Sequence, residues 1–367
     1  MNLISKAKTW ITSKVNLAGD DPQNNWLYTS IDESIGVEDI RFWKQHIPEY
    51  SQKSRIGFTS PKFQDYVLET SSGPIHARSM LTQAELSLLY ALARHYYKGI
   101  GDIVDLGPLI GIGTFSLAQG LIQNIERKES SRIFSYDLFL MENMSHFLPS
   151  EDAGGTGSVF HRFLEINRDF LDFLIPVPGD ITKMHWNGKP IEILFIDLAK
   201  TWNLNSHVIS QFFRHLIPGH SILIQQDYVH VGEPWIALTM EVFSEYFEHL
   251  YFIYGATSVY RLIRPIPPEI LEMRLRDMSL SEMDRHMENA RRKATPAVAE
   301  VLKTCQAVLR IEKGDLVGAA ELIEGVDVRV MDGNDKTQEF NPAIRANLAA
   351  ASRWLDQARA NPKFRYG

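Results

Sequence analysis

The chain has 367 residues, 44% hydrophobic and 23% charged, proportions that exclude collagen-like, low-complexity and largely disordered proteins. A net charge of -7 without a dense basic stripe argues against nucleic-acid binding, and no apolar run is long enough to cross a bilayer. The single cysteine, Cys305, excludes intrachain disulfides and a cysteine-built zinc site, and with the lack of a secretion signal it predicts a cytoplasmic protein.

Residues 1–80 show no clear periodicity, and their scattered aromatic side chains predict a helical cap of short helices and loops. In the segment 82–98, leucines and aromatic residues recur at helical spacing, which predicts a helix with one buried face. Thr82 is placed to begin this helix, because Glu85 follows three residues later as in a capping box. Gly99 follows the last periodic residue and ends the helix.

From residue 102 onward, short apolar runs alternate with helical segments, the pattern of a mostly parallel sheet covered on both faces. The predicted strands are 102–106, 132–137, 191–197 and 221–226, and the predicted helices are 114–125, 204–216 and 234–249. Two further strands, 251–256 and 259–263, are separated only by Thr257 and Ser258, which predicts a closing antiparallel hairpin. The predicted fold class is therefore α/β, with a doubly wound sheet.

Two segments depart from this alternation. Residues 139–174 contain a glycine-rich stretch between helical pieces and form either a lid or a surface excursion. Three prolines between 265 and 268 mark a boundary, after which 269–325 and 341–360 have helical patterns. We therefore predict three parts: a cap (1–80), a sheet domain (81–265) and a helical extension (266–367).

The helical extension carries an apolar stripe. It consists of Val301, Leu302, Cys305, Val308 and Leu309. Because such a face must be covered, we expect it to pack on the sheet domain or on a second copy of the chain. A homodimer through the extension is therefore an open alternative.

The segment 104–114 reads VDLGPLIGIGT, in which a strand ends near Asp105 and a glycine-rich loop leads into a helix. The loop residues of interest are Gly107, Gly111, Gly113 and Thr114. Glycine lets the backbone turn tightly and approach a ligand, and the next helix N-terminus offers unpaired N–H groups to an anion. The spacing differs from the G-x-G-x-x-G of dinucleotide-binding folds.

With its D-x-G-x-x-x-G-x-G spacing, this loop resembles the first motif of class I S-adenosylmethionine-dependent methyltransferases. A closing antiparallel hairpin is typical of the same family. The resemblance spans residues 78–264 and implies a Rossmann-like sheet whose glycine loop wraps the methionine end of S-adenosylmethionine. It also implies that the chain is an enzyme.

The resemblance implies further cofactor contacts at the ends of neighbouring strands. Asp137 stands where the family places an acid that accepts hydrogen bonds from both ribose hydroxyls, the alternative being a helix cap. Gly179 and Asp180 resemble the turn on the adenine side, the alternative being an ordinary turn. Asp197 ends a further strand, and the segment 78–82 lies where related enzymes close over the cofactor.

Four residues at the predicted catalytic rim resemble those of metal-dependent O-methyltransferases of the catechol and macrocin types. The resemblance implies that Asp197, Gln226 and Asp227 bind a divalent cation such as Mg²⁺. It implies Lys200 as the base, on condition that burial and the cation depress its pKa. Gln226 replaces an acid of those enzymes, so a site without metal, with Lys200 as a solvated side chain, is the open alternative.

Histidine offers a second candidate base. His230 follows Asp227 by three residues, and an imidazole titrates near neutral pH. His207, in the helix predicted after Asp197, is a weaker candidate of the same kind.

The resemblance implies methyl transfer from S-adenosylmethionine to a hydroxyl of a small-molecule acceptor, a sugar or a secondary metabolite. The D/N-P-P-Y/F signature of N-methyltransferases is absent, which favours oxygen over nitrogen as the acceptor atom. Two alternatives stay open. One is a nucleotide-dependent oxidoreductase, and the other is a non-catalytic methyltransferase-like module that serves in an assembly.

Overall fold

The computed structural model describes residues 64–140, 157–253, 257–330, 342–361 and 364. The expected cap helices within 1–63 and most of the glycine-rich stretch 153–157 lie outside these ranges. Within the described ranges, no helix is both long and apolar enough to cross a membrane.

The described part of the N-terminal region begins with an antiparallel hairpin of β1 (Gln64–Thr70) and β2 (Gly73–Ser79). The expectation of helices is therefore wrong for these residues. Side chains alternate between buried and exposed along the hairpin, with Leu68, Ile75 and Ala77 buried. This period of two is the ordinary pattern of a half-buried strand.

Helix α1 (Gln83–Ala91) begins with the predicted capping box. The Thr82 backbone N–H donates to Glu85 Oε2 at 2.7 Å, and the Glu85 N–H donates to the Thr82 hydroxyl at 3.3 Å. The helix continues into one π-helical turn, Leu92–Tyr96. The predicted helix over 82–98 is thus confirmed in position, with a widened final turn.

Seven strands form the central sheet, in the order β5-β4-β3-β6-β7-β9-β8. They are β3 (Asp102–Leu106), β4 (Ile133–Asp137), β5 (Leu174–Pro178), β6 (Ile191–Ile196), β7 (Ile222–Gln225), β8 (Phe247–Ile253) and β9 (Thr257–Leu262). The first five of the order are parallel, and β9 inserts antiparallel between β7 and β8. The predicted fold class, a class I methyltransferase sheet with a terminal antiparallel hairpin, is confirmed.

Helices cover both faces of this sheet. They are α2 (Ile112–Ile122), α3 (Phe160–Ile166), α4 (Trp202–Phe212) and α5 (Pro234–Val242). One core cluster joins α1, α2 and α3 to the face that carries Ile103 and Ile193. The other joins α4 and α5 to the face that carries Val104 and Leu194. Neighbouring strand residues point to opposite faces, so the strands between the two layers are mostly apolar, and Asp105 and Glu192 are buried polar exceptions.

Two predicted boundaries at the end of the sheet are wrong. The helix predicted over 234–249 ends at Val242, because the following residues enter β8. Thr257 and Ser258 belong to β9 and not to the hairpin loop, since Thr257 pairs with Ile253.

The extension consists of α6 (Pro268–Leu271), α7 (Leu280–Lys293), α8 (Pro296–Lys313), α9 (Leu316–Glu324) and α10 (Pro342–Ala360). The apolar stripe of α8 belongs to the same core cluster as α4 and α5, and its side chains are at most 1% exposed. The extension therefore packs on the sheet domain. The alternative of a homodimer through this stripe is wrong, because the stripe is buried within a single chain.

Candidate functional site

A cavity of about 280 Å³ opens at the carboxyl ends of the parallel strands. Loops that follow β3, β4, β5 and β6 form its walls, the usual place for a ligand in an open α/β sheet. The lining includes Gly107, Leu109, Ile110, Gly113, Asp137, Gly179, Asp180, Asp197, Leu198 and Lys200. The segment 78–81 lines one side of the cavity.

Two glycines let the loop approach its neighbours closely, Gly107 against the backbone of β6's exit and Gly113 against a leucine side chain. Gly107 has a φ of +96°, and a Cβ on it would lie 2.7 Å from the Asp197 carbonyl oxygen. Gly113 lines the cavity at the start of α2, where a Cβ would lie 3.2 Å from Leu81 Cδ1. Larger residues at these two positions would push the loop away from β6 and from the segment above it.

Three other residues of the motif lie behind the loop and not in the cavity wall. Thr114 and Asp105 are 0% exposed, and the Thr114 hydroxyl donates to Asp105 Oδ2 at 2.5 Å. Burial raises the pKa of Asp105 to about 7, against the Thr114 hydrogen bond that lowers it. Gly111 has a φ of +90° and contacts Asn167, whose Nδ2 donates to its carbonyl at 3.1 Å. Asp105, Gly111 and Thr114 therefore support the loop.

Asp137 joins the end of β4 to the glycine loop. Its Oδ2 accepts the Leu109 N–H at 2.9 Å, and its Oδ1 accepts the Phe139 N–H at 2.7 Å. Burial raises the pKa of this carboxyl despite both hydrogen bonds. A carboxylate has about four acceptor positions, so each oxygen retains capacity for a ligand hydroxyl.

Gly179 and Asp180 form the turn after β5 and line the cavity. Gly179 has a φ of +134°, which favours glycine at this position. Asp180 Oδ1 accepts hydrogen bonds from the Thr182 N–H at 3.0 Å and hydroxyl at 2.7 Å, which lower the pKa of the carboxyl. Asp180 Oδ2 lies 3.1 Å from Lys183 Nζ. Asp180 thus caps the short 3₁₀ turn Ile181–Lys183 at the turn predicted for the adenine side.

Asp197, Lys200 and Asp227 form one charged cluster, which we call the lysine cluster. Lys200 Nζ donates to Asp197 Oδ1 at 2.9 Å and also to Asp227 Oδ2. The Asp227 backbone has a φ of +59°, in the sparsely populated left-handed region. The side chains of Asp197 and Asp227 are 19% and 17% exposed, and that of Lys200 is 43% exposed.

The electrostatics of the lysine cluster correct one expectation. Partial burial opposes the charge on Lys200, but Asp197 and Asp227 outweigh it and hold the pKa of the lysine well above its usual range. The condition set for a base role of Lys200, a depressed pKa, is therefore not met in the cluster as it stands. Burial raises the pKa of Asp197 to about 6, against the attraction of Lys200. Burial opposes the charge on Asp227, but the nearby Lys200 and His230 together outweigh it and leave the pKa of Asp227 lowered.

A divalent metal does not fit this cluster. The ammonium group of Lys200 already lies between the two carboxylates that would bind the cation. Gln226 is 7% exposed, and its Oε1 accepts a hydrogen bond from the Thr257 hydroxyl, away from Asp227. Among the described residues, no group of three histidine, cysteine or acidic side chains is placed to hold a metal ion. The implied ligand set of Asp197, Gln226 and Asp227 is therefore not supported.

The two histidines have roles outside the cavity wall. His230 Nδ1 is hydrogen-bonded to the Glu233 carboxylate. Burial lowers the pKa of His230, but the bond to Glu233 outweighs it and leaves this pKa raised. Burial lowers the pKa of His207. Neither side chain lines the cavity, so neither is placed as a base against a ligand there.

Two contributors were missed by the sequence interpretation. Leu109 has a φ of +53°, unusual for a branched residue, and its N–H is the one bound by Asp137. Asn167, 0% exposed, bonds the Gly111 carbonyl from α3, across 56 residues of sequence. No local pattern marks either residue, because both roles depend on tertiary contacts.

Neither a family model nor a curated protein matches the sequence. Solved structures of small-molecule O-methyltransferases are similar in structure. The O-methyltransferase NovP is 14% identical with a TM-score of 0.41, over 52% of this chain and 85% of NovP. A TDP-rhamnose 3′-O-methyltransferase of calicheamicin biosynthesis is 17% identical with a TM-score of 0.39, over 50% and 82%. A putative O-methyltransferase from Klebsiella pneumoniae is 14% identical with a TM-score of 0.36, over 50% and 82%.

Proposed function

We propose that this chain transfers a methyl group from S-adenosylmethionine to a hydroxyl of a small molecule. One observation carries the proposal. A glycine loop, a strand-end carboxylate and a lysine held by two further carboxylates face a single cavity at the carboxyl edge of the sheet. The loop and Asp137 suit a nucleoside, and the lysine cluster suits proton transfer beside it.

The charged, apolar and backbone groups that line the cavity fit S-adenosylmethionine. This cofactor carries positive charge on its sulfonium and ammonium groups, and Asp137, Asp180 and Asp197 supply negative charge around the cavity. Ile110 and Phe195 add apolar surface for a purine. The N-terminus of α2 begins beside Gly113 and offers backbone N–H groups to a ligand carboxylate. Asp137 would then accept hydrogen bonds from the ribose hydroxyls.

The lysine cluster supports the chemistry without a metal. S-adenosylmethionine supplies the methyl group, which bonds to the acceptor oxygen as its bond to sulfur breaks. Lys200 directs two of its three N–H donors at Asp197 and Asp227, and its third orients the acceptor oxygen. The acceptor proton passes to the Asp197 carboxylate, which lines the cavity and whose pKa burial raises to about 6, and then to water. Lys200 thus acts as a positioned cation, which differs from the base role that the resemblance implied.

Methyl-labelled S-adenosylmethionine and a panel of hydroxylated small molecules test this proposal by mass spectrometry. We expect labelled product with the wild type and at least about 100-fold slower labelling with Lys200→Met, the usual scale for removing one preorganised hydrogen-bond donor from the reacting oxygen. Lys189→Met is the matched control, because Lys189 is 60% exposed and lies 4.0 Å from Asp102 at the opposite edge of the sheet. Wild-type turnover in Lys200→Met would refute the role of the lysine.

A further inference from the structure

The helical extension contacts both loops that carry the lysine cluster. The lysine loop (residues 197–201) follows β6 and leads into α4, and the aspartate loop (residues 226–233) follows β7 and leads into α5. Contacts from α8 and α10 reach Trp202, the first residue of α4 directly after the lysine loop, and Val231 within the aspartate loop. Both partners in the extension are more than a hundred residues away in sequence.

Glu312, a buried carboxylate of α8, binds the residue that directly follows the lysine loop. Trp202, two residues after Lys200, is 3% exposed, and its Nε1 donates to Glu312 Oε2 at 2.8 Å. The Glu312 side chain is 6% exposed, and its Oε1 accepts from Arg276 Nε at 2.9 Å. The Trp202 ring packs on Trp235 at a centroid distance of 5.3 Å, and Trp235 Nε1 donates to the loop carbonyl of Ala199 at 2.7 Å.

A buried amide of α10 holds the aspartate loop. Asn347 is 4% exposed, and its Oδ1 accepts the backbone N–H of Val231 at 2.9 Å. Its Nδ2 donates to the Ala343 carbonyl of the same helix at 3.0 Å, which fixes the direction of the side chain. Within the loop, the His230 N–H donates to the Asp227 carbonyl at 2.9 Å. The strained Asp227 backbone is therefore secured from the extension through Val231 and His230.

We infer that Glu312 and Asn347 are positioning residues, which hold the two loops so that Lys200 meets both of its carboxylates. The inference rests on the proposed function for its chemical meaning, whereas the contacts themselves are independent of the reaction. The glycine loop is supported from the other face of the sheet, by Asn167 and Phe163 of the α3 region. Loosening the extension should therefore disturb the lysine cluster and leave the nucleoside half of the cavity intact.

Acetylation of Lys200 with dilute acetic anhydride, followed by mass spectrometry, tests the inference without knowledge of the acceptor. Only the unprotonated amine reacts, so release of the ammonium from one carboxylate accelerates labelling. For Glu312→Leu and Asn347→Leu at pH 8 we expect labelling about 3- to 10-fold faster, corresponding to a pKa lowered by about half to one unit. Glu312→Gln keeps an acceptor oxygen for Trp202 and should label at the wild-type rate.

Gln306→Leu is the control for a purely structural effect. Gln306 is a buried polar residue of α8 that bonds Asp284 at 2.7 Å and Arg291 at 3.0 Å within the extension. We expect a lower melting temperature and an unchanged Lys200 labelling rate for this variant. S-adenosylhomocysteine affinity, measured by calorimetry, should stay within about twofold of the wild type in all variants, since a twofold change is about 0.4 kcal/mol.

Unchanged Lys200 labelling in Glu312→Leu and Asn347→Leu would overturn the inference, and so would equal acceleration in Gln306→Leu. If a leucine variant does not fold, Asn347→Ser and Glu312→Asp replace it, because their shorter side chains lose the same contacts with less disturbance. A wild type that fails to bind S-adenosylhomocysteine would instead refute the proposed function, and the labelling result would still decide the positioning role.

Discussion

Replacing Lys200 with methionine removes the cation from the lysine cluster and retains much of the side-chain volume. Lys200 Nζ bonds Asp197 at 2.9 Å and also Asp227, so the variant leaves two carboxylates facing each other without a counterion. Both carboxylates are largely buried, with 19% and 17% of their side chains exposed. Their repulsion should therefore destabilise the folded state wherever both are ionised.

The size of this effect follows from burial. Breaking a fully buried ion pair costs about 3–5 kcal/mol and an exposed pair less than about 1 kcal/mol. The lysine is 43% exposed, so we expect an intermediate loss of about 2 kcal/mol at pH 8. With an unfolding entropy of about 2.1 cal/mol/K per residue over the whole chain, this loss of stability corresponds to a Tm lower by about 3 °C.

The pH dependence gives the sharper test. With Lys200 present, the pKa of Asp197 is already raised to about 6, and removal of the lysine raises it further. At pH 5 Asp197 therefore takes up a proton, the two carboxyls share it, and the destabilisation should fall below about 1 kcal/mol. Urea unfolding of wild type, Lys200→Met and the control Lys189→Met at pH 5 and 8 measures this. Equal destabilisation of Lys200→Met at both pH values would refute the reasoning.

Three further predictions concern buried groups. Burial raises the pKa of Glu85 to about 7, so the stability that this carboxyl contributes is present below pH 4.5 and lost as the pH rises through 7. Glu85→Gln should therefore remove up to about 3 kcal/mol of the decrease in the free energy of unfolding between these pH values, measured by urea unfolding. An unchanged dependence of stability on pH would contradict this prediction. Gly111→Ala should cost about 2–4 kcal/mol, because a Cβ would lie 2.3 Å from Asn167 Nδ2 at a φ of +90°. Gly188→Ala, at a φ of +84° with open space around the new Cβ, should cost only about 1 kcal/mol of stability. Equal losses of stability in the two glycine variants would contradict the packing argument. Cys305 is 0% exposed, and burial raises its pKa to about 12. An aromatic disulfide reagent should therefore label this thiol only at the rate at which the protein unfolds. Rapid labelling of the native protein would contradict the burial of Cys305.

The sheet could be predicted from sequence because its strands are short apolar runs between helices of clear periodicity. The capping box of Thr82 and Glu85 was equally readable, since both partners lie within one turn. The hairpin of β1 and β2 was missed, although its side chains alternate with a period of two, because polar residues and a lack of longer runs weaken the pattern.

Some features of the candidate site could likewise be predicted from the sequence, and others could not. Gly107, Gly113 and Asp137 face the cavity as the motif implied, because strand ends in a parallel sheet meet at one edge. The orientation of Gln226 could not be predicted, because it depends on Thr257, which β9 brings beside β7. The sequence placed Asp197, Lys200 and Asp227 at one rim, but it did not predict that Lys200 would pair with both carboxylates, because that depends on side-chain orientation in the folded chain.

The central claim is that the cavity holds the nucleoside of S-adenosylmethionine, with Asp137 on its ribose. Calorimetric titration with S-adenosylhomocysteine tests it most directly, with NADH as the competing ligand and Asp356→Ala, a surface variant of α10, as control. We predict binding at one site, weakened about 10- to 100-fold in Asp137→Ala, as expected for charge-assisted hydrogen bonds of about 1.5–3 kcal/mol. Asp137→Asn, which keeps an acceptor for the Leu109 N–H, should also weaken binding. Binding of NADH without S-adenosylhomocysteine, or equal S-adenosylhomocysteine affinity in wild type and both Asp137 variants, would contradict the account.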